Sequence, residues 1–235
     1  MSATSSRISP WLARLLYPLG SKVVLPAFFN KITVTGQANI PAKNPVIVAP
    51  THRSRWDALL VPYAMGRMVS GRDMRFMVSI NEVSGLQGWF IRRMGGFPVN
   101  PARPTAGSLQ HSIELLQDDE MLVIFPEGAI FRDRITTTEV ERQVQPLKRG
   151  VARIALDVVD QNPDTEVNII PVSLRYSEAI PQWGADVWIE IGKPINAAEY
   201  LEESVRRASI NLTKALQEQL QQLHQETPPT PELVS

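Results

Sequence analysis

Two short apolar runs constrain the fold of this chain more than any other feature. Residues 46–49 read VIVA and residues 121–125 read MLVIF, and neither run contains a polar side chain. A strand that is apolar on both faces is typical of a parallel sheet with helices packed on each side, whereas a half-solvated sheet shows alternation. Both runs therefore predict central strands of a covered sheet.

The segments around these runs alternate between strand-like and helix-like patterns. Further strands are predicted at KITVTG (31–36), MRFMVS (74–79), VNIIPVSLRY (167–176) and VWIEIG (187–192). Helices are predicted at 55–69, 104–119, 147–159 and 199–225. This alternation predicts an α/β fold, with a mainly parallel mixed sheet flanked by helices. We assign residues 31–225 to this α/β domain and residues 226–235 to a disordered tail.

Residues 1–30 are assigned to a separate N-terminal segment, in which residues 11–29 are apolar and aromatic. Four residues interrupt this run: Arg14, Pro18, Lys22 and Pro26. A membrane span needs about 20 predominantly apolar residues, so the segment is not predicted to cross a bilayer. An amphipathic helical segment with cations beside its aromatic side chains is suited to a membrane interface. We expect it to dock there; the alternative is a helical cover that packs on the domain.

The composition excludes several classes of function. The chain has 24 Lys or Arg and 24 Asp or Glu residues, so its net charge is zero and no dominant basic field would hold a nucleic acid. It has no cysteine, which excludes disulfides, a thiolate nucleophile and cysteine-based metal sites. The three histidines, His52, His111 and His224, lack the spacing of metal ligands, so we expect no metal site.

His52 and Asp57 follow the first apolar strand, within APTHRSRWDALLVP (49–62). Five positions along one helix turn through about 500°, which would put the two side chains on different faces. They can meet only if His52 lies in the loop before a helix and Asp57 in its first turn. An aspartate bound to one imidazole nitrogen fixes the tautomer and leaves the other nitrogen as a base. The alternative is a helix start in which Ser54 and Asp57 form a capping box.

A second polar motif, FPEGAIFR (125–132), follows the second apolar strand. Ligands of open α/β sheets bind beyond the carboxyl ends of the strands, so Glu127 and Gly128 should share one crevice with the histidine. Gly128 permits close approach of the backbone to a ligand. Arg132 can bind a phosphate oxygen, and Lys148 precedes a helix N-terminus that attracts anions. The alternative is that both cations are solvated surface charges.

Four blocks of the sequence occur in the order and rough spacing of the glycerolipid acyltransferase family. They are His52-x4-Asp57, GGFPV (95–99), FPEG (125–128) and IIPVSL (169–174). The chain resembles this family, in particular its bacterial 1-acyl-sn-glycerol-3-phosphate acyltransferases, over about residues 45–195. Four ordered blocks are far more specific than any single block.

The resemblance implies transfer of a fatty acyl group from acyl-CoA or acyl carrier protein to the hydroxyl of a lysophospholipid. The implied acceptor is 1-acyl-sn-glycerol-3-phosphate, and the implied product is phosphatidic acid. His52 would deprotonate the hydroxyl with support from Asp57, while Glu127 and Gly128 help to hold the phosphorylated acceptor. The acyl donor is a co-substrate, and no metal or redox cofactor is expected. The expected location is peripheral or monotopic, on the cytoplasmic face of a membrane.

The chain departs from the family pattern in its second and third blocks. The third block has Ala129 and Ile130 where the family usually has threonine and arginine, and Arg132 is the candidate substitute. The second block has Pro101 where an arginine is frequent, and Arg103 is the nearest candidate. Both departures concern recognition of the acceptor phosphate. Two other functions therefore stay open: a non-catalytic lipid- or anion-binding module on the same fold, and a hydrolase of acyl thioesters.

Overall fold

The sheet is built around Val46–Pro50 (β2), whose five residues are all buried. The structure is a computed structural model that describes residues 6–100, 102–130, 144–178 and 180–225. In it, β2 pairs in parallel with Met121–Val123 (β5) on one side and with Asn168–Tyr176 (β6) on the other. The two apolar runs of the sequence are thus adjacent central strands, as predicted.

The remaining strands extend this sheet at both edges. They are Lys31–Thr35 (β1), Met74–Ser79 (β3), Gly96–Val99 (β4), Asp186–Ile191 (β7) and Ile195–Asn196 (β8). The order is β1-β7-β6-β2-β5-β3-β4, with β8 beside β6. All neighbouring pairs are parallel except β6 with β7 and β6 with β8. The predicted mainly parallel mixed sheet is confirmed.

Helices cover both faces of the sheet. They are Pro10–Leu19 (α1), Leu25–Phe28 (α2), Asp57–Met65 (α3), Arg67–Ser70 (α4), Gly85–Arg93 (α5), Ala106–Gln117 (α6), Gly150–Gln161 (α7) and Val205–Gln225 (α8). A π-helical turn, Gly20–Val24, joins α1 to α2, and 3-10 turns occupy Gln37–Asn39, Ile80–Glu82 and Ala197–Tyr200.

The side chains of β2 alternate between two hydrophobic cores. Ile47 and Ala49 belong to the core formed with α6, α7 and α8. Val46 and Val48 belong to the core formed with α3 and the N-terminal segment. Because both faces of β2 are buried, every side chain along it packs in a core and none faces solvent. This explains the unbroken apolar run.

The N-terminal segment is helical, as predicted, and part of it packs on the domain. Leu25 and Phe29 are buried against the sheet, whereas Trp11 and Leu15 on α1 are exposed. None of the helices within the described residues is long and apolar enough to cross a membrane. The predicted tail, residues 226–235, lies outside the described residues.

Several helix or strand assignments differ from the sequence prediction. The helix predicted over 55–69 is divided at Gly66, whose backbone is extended; a Cβ there would lie 2.6 Å from the carbonyl oxygen of Pro62. The last helix begins at Val205 instead of residue 199, and the first two residues predicted for it lie in the 3-10 turn Ala197–Tyr200. Both α5 and β4 were not predicted. The first exposes apolar side chains instead of polar ones, and the second has four residues including a proline.

Candidate active site

His52 and Asp57 meet at the carboxyl end of β2. His52 lies in the loop after the strand and Asp57 is the first residue of α3, so the chain turns between them as the spacing requires. His52 Nδ1 is 2.9 Å from Asp57 Oδ2. An ionised carboxylate only accepts hydrogen bonds, so Nδ1 carries the proton and Nε2 is left as the basic nitrogen. The aspartate side chain is fully buried, whereas the histidine side chain is 17% exposed.

Asp57 accepts three further hydrogen bonds. The backbone amides of Arg53 and Ser54 donate to Oδ2 at 2.7 and 2.8 Å, and the hydroxyl of Tyr176 donates to Oδ1 at 2.5 Å. The bond from the Ser54 amide is half of a capping box. The serine hydroxyl does not complete the box, because it accepts from the amide of Trp56 instead. Asp57 therefore begins the helix and orients the histidine at the same time.

Tyr176, the last residue of β6, was missed by the sequence analysis. Burial raises the pKa of its phenol well above the ordinary value, and the negative charge of Asp57 raises it further. The hydroxyl therefore stays protonated and remains a donor throughout the physiological range. The only signal for it in the sequence was its place two residues after the fourth block, IIPVSL.

The loops after β2 and β5 meet, as predicted from their shared edge of the sheet. The ring of His52 stacks on Phe125 with centroids 3.9 Å apart and an angle of 22° between the planes. Two residues further on, Glu127 Oε2 accepts a hydrogen bond from Arg53 Nη1 at 2.8 Å. Both side chains are largely buried, with the guanidinium 10% and the carboxylate 1% exposed. Contacts between the first and third blocks therefore enclose the histidine.

Arg53 connects this loop to the C-terminal helix. Its Nη2 lies 3.5 Å from Nε2 of His224 in the last turn of α8, and His224 Nδ1 lies 2.9 Å from the hydroxyl of Ser173 on β6. Burial raises the pKa of Glu127, while the charge and hydrogen bond of Arg53 act to lower it. Glu127 does not line the cavity described below, so the structure places it as a partner of Arg53.

Gly128 and Lys148 lie together at the cavity. The φ of Gly128 is +78°, and a Cβ at this position would lie 2.5 Å from Nζ of Lys148. The glycine thus leaves the space that the lysine side chain occupies. The amide of Lys148 donates to the carbonyl of Pro126 at 2.9 Å, and α7 begins two residues later at Gly150. The predicted cation at a helix N-terminus is therefore beside the third block.

Of the two arginines in the anion-binding prediction, Arg103 does not line the cavity. Arg103 is exposed in the turn after β4, where its amide bonds to Asn100; its neighbour Pro104 lines the cavity but Arg103 does not. Arg132 lies outside the described residues. Their roles in binding stay predictions.

The three histidines lie in separate environments. His111 on α6 is within hydrogen-bond distance of Ser6, and burial lowers its pKa. His224 is buried beside Ser173. Across the described part of the chain, no group of three or more His, Asp or Glu side chains is arranged to hold a metal ion.

A cavity of about 1210 Å³ opens beside His52. Its walls are largely apolar and come from the N-terminal segment, α3, β3 and α5. They include Leu16, Leu19, Val24, Leu59, Tyr63, Phe76, Val78, Phe90, Ile91 and Met94. Phe90 and Met94 line the cavity, whereas the neighbouring Trp89 does not. The volume suits a long apolar group placed with one end at the histidine.

Comparison with known proteins agrees with this arrangement. The family model described as Acyltransferase matches residues 31–175, which include both strands with apolar runs and every residue of the His52–Asp57 loop. The chain belongs to the Acyltransferase family.

Two curated relatives of this acyltransferase are 1-acyl-sn-glycerol-3-phosphate acyltransferases. The one from Bacillus subtilis is 24% identical over 213 residues, 86% of this chain and 92% of the relative. The one from Streptococcus pneumoniae is 30% identical over 89 residues, which are 37% of this chain and only 32% of the relative. The crystal structure of the 1-acyl-sn-glycerophosphate acyltransferase PlsC from Thermotoga maritima has the same fold, with a TM-score of 0.64. It is 18% identical, and the match covers 93% of this chain and 82% of PlsC. The protein is accordingly an O-acyltransferase enzyme.

Replacing Tyr176 with phenylalanine tests the hydrogen bond that its hydroxyl donates to Asp57. Because the hydroxyl bonds to a buried charge, we expect Tyr176→Phe to lower the free energy of unfolding by about 1.5–3 kcal/mol. We expect kcat for acyl transfer to fall roughly tenfold with KM little changed, since His52 loses orientation rather than substrate contacts. Urea unfolding and steady-state assays measure both effects. Tyr200→Phe is the control. Equal unfolding free energies and equal kcat values for the two variants would contradict the support of Asp57 by Tyr176.

Removing Arg53 tests the buried ion pair. Arg53→Ala removes the cation that is paired with the buried Glu127 carboxylate, which should cost about 3–5 kcal/mol of unfolding free energy near neutral pH. The adjacent exposed pair Arg55–Glu82 gives a matched control, and Arg55→Ala should cost at most about 1 kcal/mol. Denaturant unfolding measures both variants.

The loss in Arg53→Ala should also depend on pH. Without the arginine charge, the pKa of Glu127 rises further above the 4.5 of an ordinary glutamate, because burial is the largest influence on it. A raised folded-state pKa destabilises the protein above that pKa, and the penalty disappears as pH falls toward the unfolded value. The difference from wild type should therefore shrink on acidification; a constant difference would show that Glu127 is not its source.

Proposed function

We propose that the protein transfers a fatty acyl group from acyl-CoA or acyl carrier protein to the hydroxyl of a lysophospholipid. We further propose 1-acyl-sn-glycerol-3-phosphate as the acceptor and phosphatidic acid as the product. The observation that carries this proposal is the His52–Asp57 pair at the mouth of an apolar cavity. The names of the Bacillus subtilis and Streptococcus pneumoniae relatives support the choice of acceptor.

His52 is the proposed general base. A hydroxyl is a poor nucleophile at neutral pH, and a positioned base accelerates its reaction by about 10²–10⁴-fold. Nε2 removes the hydroxyl proton, and the oxygen attacks the thioester carbonyl while Asp57 stabilises the imidazolium. The tetrahedral intermediate then expels the thiolate, which takes the proton from Nε2 and leaves as a thiol. Backbone amides at the strand ends are the expected donors to the oxyanion.

Direct transfer between the two bound substrates is the simplest route. The chain contains no cysteine and no Gly-x-Ser-x-Gly motif, so its sequence offers neither of these familiar nucleophiles for an acyl-enzyme. Acyl transfer from a thioester to a hydroxyl changes no oxidation state, so the proposed reaction needs no redox cofactor, and the proposed steps involve no metal.

Lys148 is the proposed contact for the acceptor phosphate. It borders the cavity beside Gly128, where the third block of this chain lacks the usual arginine. The nearby N-terminus of α7 also favours an anion. A cation–phosphate contact at this place would set the acceptor hydroxyl near His52. Arg132 and Arg103 remain candidates for additional contacts.

The apolar cavity is the proposed site of an acyl chain, and the N-terminal segment is its proposed contact with lipid. Trp11 and Leu15 on α1 are exposed, with Arg14 between them. An amphipathic helix of this kind lies in the interface plane of a bilayer. We therefore propose a peripheral or monotopic enzyme on the cytoplasmic face of a membrane, where both substrates are met.

The decisive experiment supplies labelled acyl-CoA or acyl carrier protein together with a panel of lysolipids. We expect labelled phosphatidic acid from wild type and a loss of at least about 10²-fold in His52→Ala, because the general base is removed. His111→Ala serves as the control histidine. Free fatty acid in place of lipid would identify a thioester hydrolase, and full activity of His52→Ala would refute the mechanism.

The acceptor contact is tested with Lys148→Ala. We expect KM for 1-acyl-sn-glycerol-3-phosphate to rise about tenfold, since a charge-assisted hydrogen bond is lost. KM for an uncharged monoacylglycerol should stay unchanged. The neighbouring exposed Arg149→Ala is the control variant. An equal KM for the phosphorylated acceptor in wild type and Lys148→Ala would contradict the assignment.

A further inference from the structure

We propose that α5 is a second membrane-inserting element, whose outward face enters an anionic phospholipid bilayer beside α1. This face, called the α5 face below, consists of Leu86, Trp89 and Phe90. The inference rests on the proposed function, because it describes how the cavity reaches its lipid substrate. It adds an element that is remote in sequence from the N-terminal segment.

α5 exposes large apolar side chains where an ordinary surface helix carries polar ones. Leu86, Trp89 and Phe90 are 74%, 40% and 39% exposed, and their spacing of three and four residues puts them on one side. Gly88, by contrast, is buried against the backbone of Val83. A helix that faces water normally carries polar side chains on its outer side. A contiguous exposed apolar face indicates a lipid or partner surface.

The α5 face is connected to the exposed stripe of α1. Trp11, Leu15 and Leu19 are 62%, 58% and 42% exposed and recur every four residues along that helix. The backbone amide of Ser9 donates to the carbonyl of Arg93 at 2.8 Å, so the start of α1 is fixed to the end of α5. The two apolar surfaces are therefore presented by directly bonded elements.

Both helices also border the cavity. Leu16 and Leu19 of α1 line it, as do Phe90 and Ile91 of α5. An acyl chain that passes from a bilayer to His52 would then move between two apolar helices without crossing water. Insertion of α1 alone would leave the α5 side of this entrance in solvent. This shared wall favours a bilayer as the occupant of the α5 face.

The distribution of charge favours an anionic lipid surface. Residues 1–113 contain thirteen Lys or Arg and three Asp or Glu, whereas residues 114–235 contain eleven and 21. The last turn of α5 carries Arg92 and Arg93, and the guanidinium of Arg93 lies 4.5 Å from the centre of the Trp89 ring. Basic residues beside apolar ones at an interface attract anionic head groups. The neutral net charge of the whole chain conceals this asymmetry.

The absence of cysteine from the sequence permits a direct test by single-cysteine labelling. The variants are Leu86→Cys on α5 and Ile210→Cys on α8, where Ile210 is 45% exposed and belongs to the acidic half of the sequence. Each is labelled with a nitrobenzoxadiazole dye and mixed with vesicles of phosphatidylcholine and phosphatidylglycerol. We expect brighter, blue-shifted emission at position 86 only, and a weaker response with pure phosphatidylcholine. No response at position 86, or an equal response at position 210, would overturn the proposal.

A charged variant provides the functional test. Leu86→Glu should reduce the fraction of protein that floats with the anionic vesicles by about tenfold, since it removes a leucine that insertion would bury in the bilayer and adds a charge there. Ile210→Glu should float like wild type. Because Leu86 does not line the cavity, Leu86→Glu should keep wild-type acyl transfer to a water-soluble short-chain acceptor and lose it with acceptor in vesicles.

The experiments distinguish failure of this inference from failure of the proposed function. If wild type transfers acyl groups and Leu86→Glu matches it in flotation and in activity on vesicles, the inference fails and the function stands. If the label at position 86 responds to vesicles but wild type makes no lipid product, the function fails and the insertion of α5 stands.

Discussion

The site depends on the burial of one carboxylate, that of Asp57. A charge removed from water is tolerated only when its lone pairs are occupied by donors. Asp57 obtains four: the imidazole of His52, the amides of Arg53 and Ser54, and the hydroxyl of Tyr176. These donors come from the loop after β2 and from the end of β6. The hydrogen bonds that satisfy this charge therefore fix the loop, the start of α3 and the histidine tautomer together.

A second buried charge also has its partner within the domain. Glu127 in the third block is paired with Arg53, and the arginine also approaches His224 at the end of α8. Glu127 of the third block is thus connected to His52 through Arg53, the immediate neighbour of the histidine in sequence. This arrangement explains how a glutamate can belong to a functional block without lining the cavity. Lys148, which occupies the space that Gly128 leaves, is the proposed contact for the acceptor charge.

The two faces of the sheet are covered in different ways. One face is closed by α6, α7 and α8, whose side chains form a continuous core with the sheet. The other is covered by α3, α5 and the N-terminal segment, which leave an apolar cavity of about 1210 Å³ against the strand ends. The same elements expose their large apolar side chains outward. The proposed sites of acyl binding and lipid contact therefore lie on the same side of the sheet as the cavity beside His52.

Local sequence patterns determined the covered parallel sheet, the turn between His52 and Asp57, and the presence of helices around them. Those features depend on neighbours within a few residues, where periodicity and spacing carry the information. The patterns missed α5, because it exposes apolar side chains, and missed the contacts of Tyr176 and His224. Asp57, the partner of Tyr176, lies 119 positions away along the chain, and the partners of His224, Arg53 and Ser173, lie 171 and 51 positions away. These residues meet their partners only in the folded structure, where β6 lies beside β2 and α8 docks on the sheet. The donors that satisfy a buried charge come from distant parts of the chain, so they leave no periodic pattern in the local sequence.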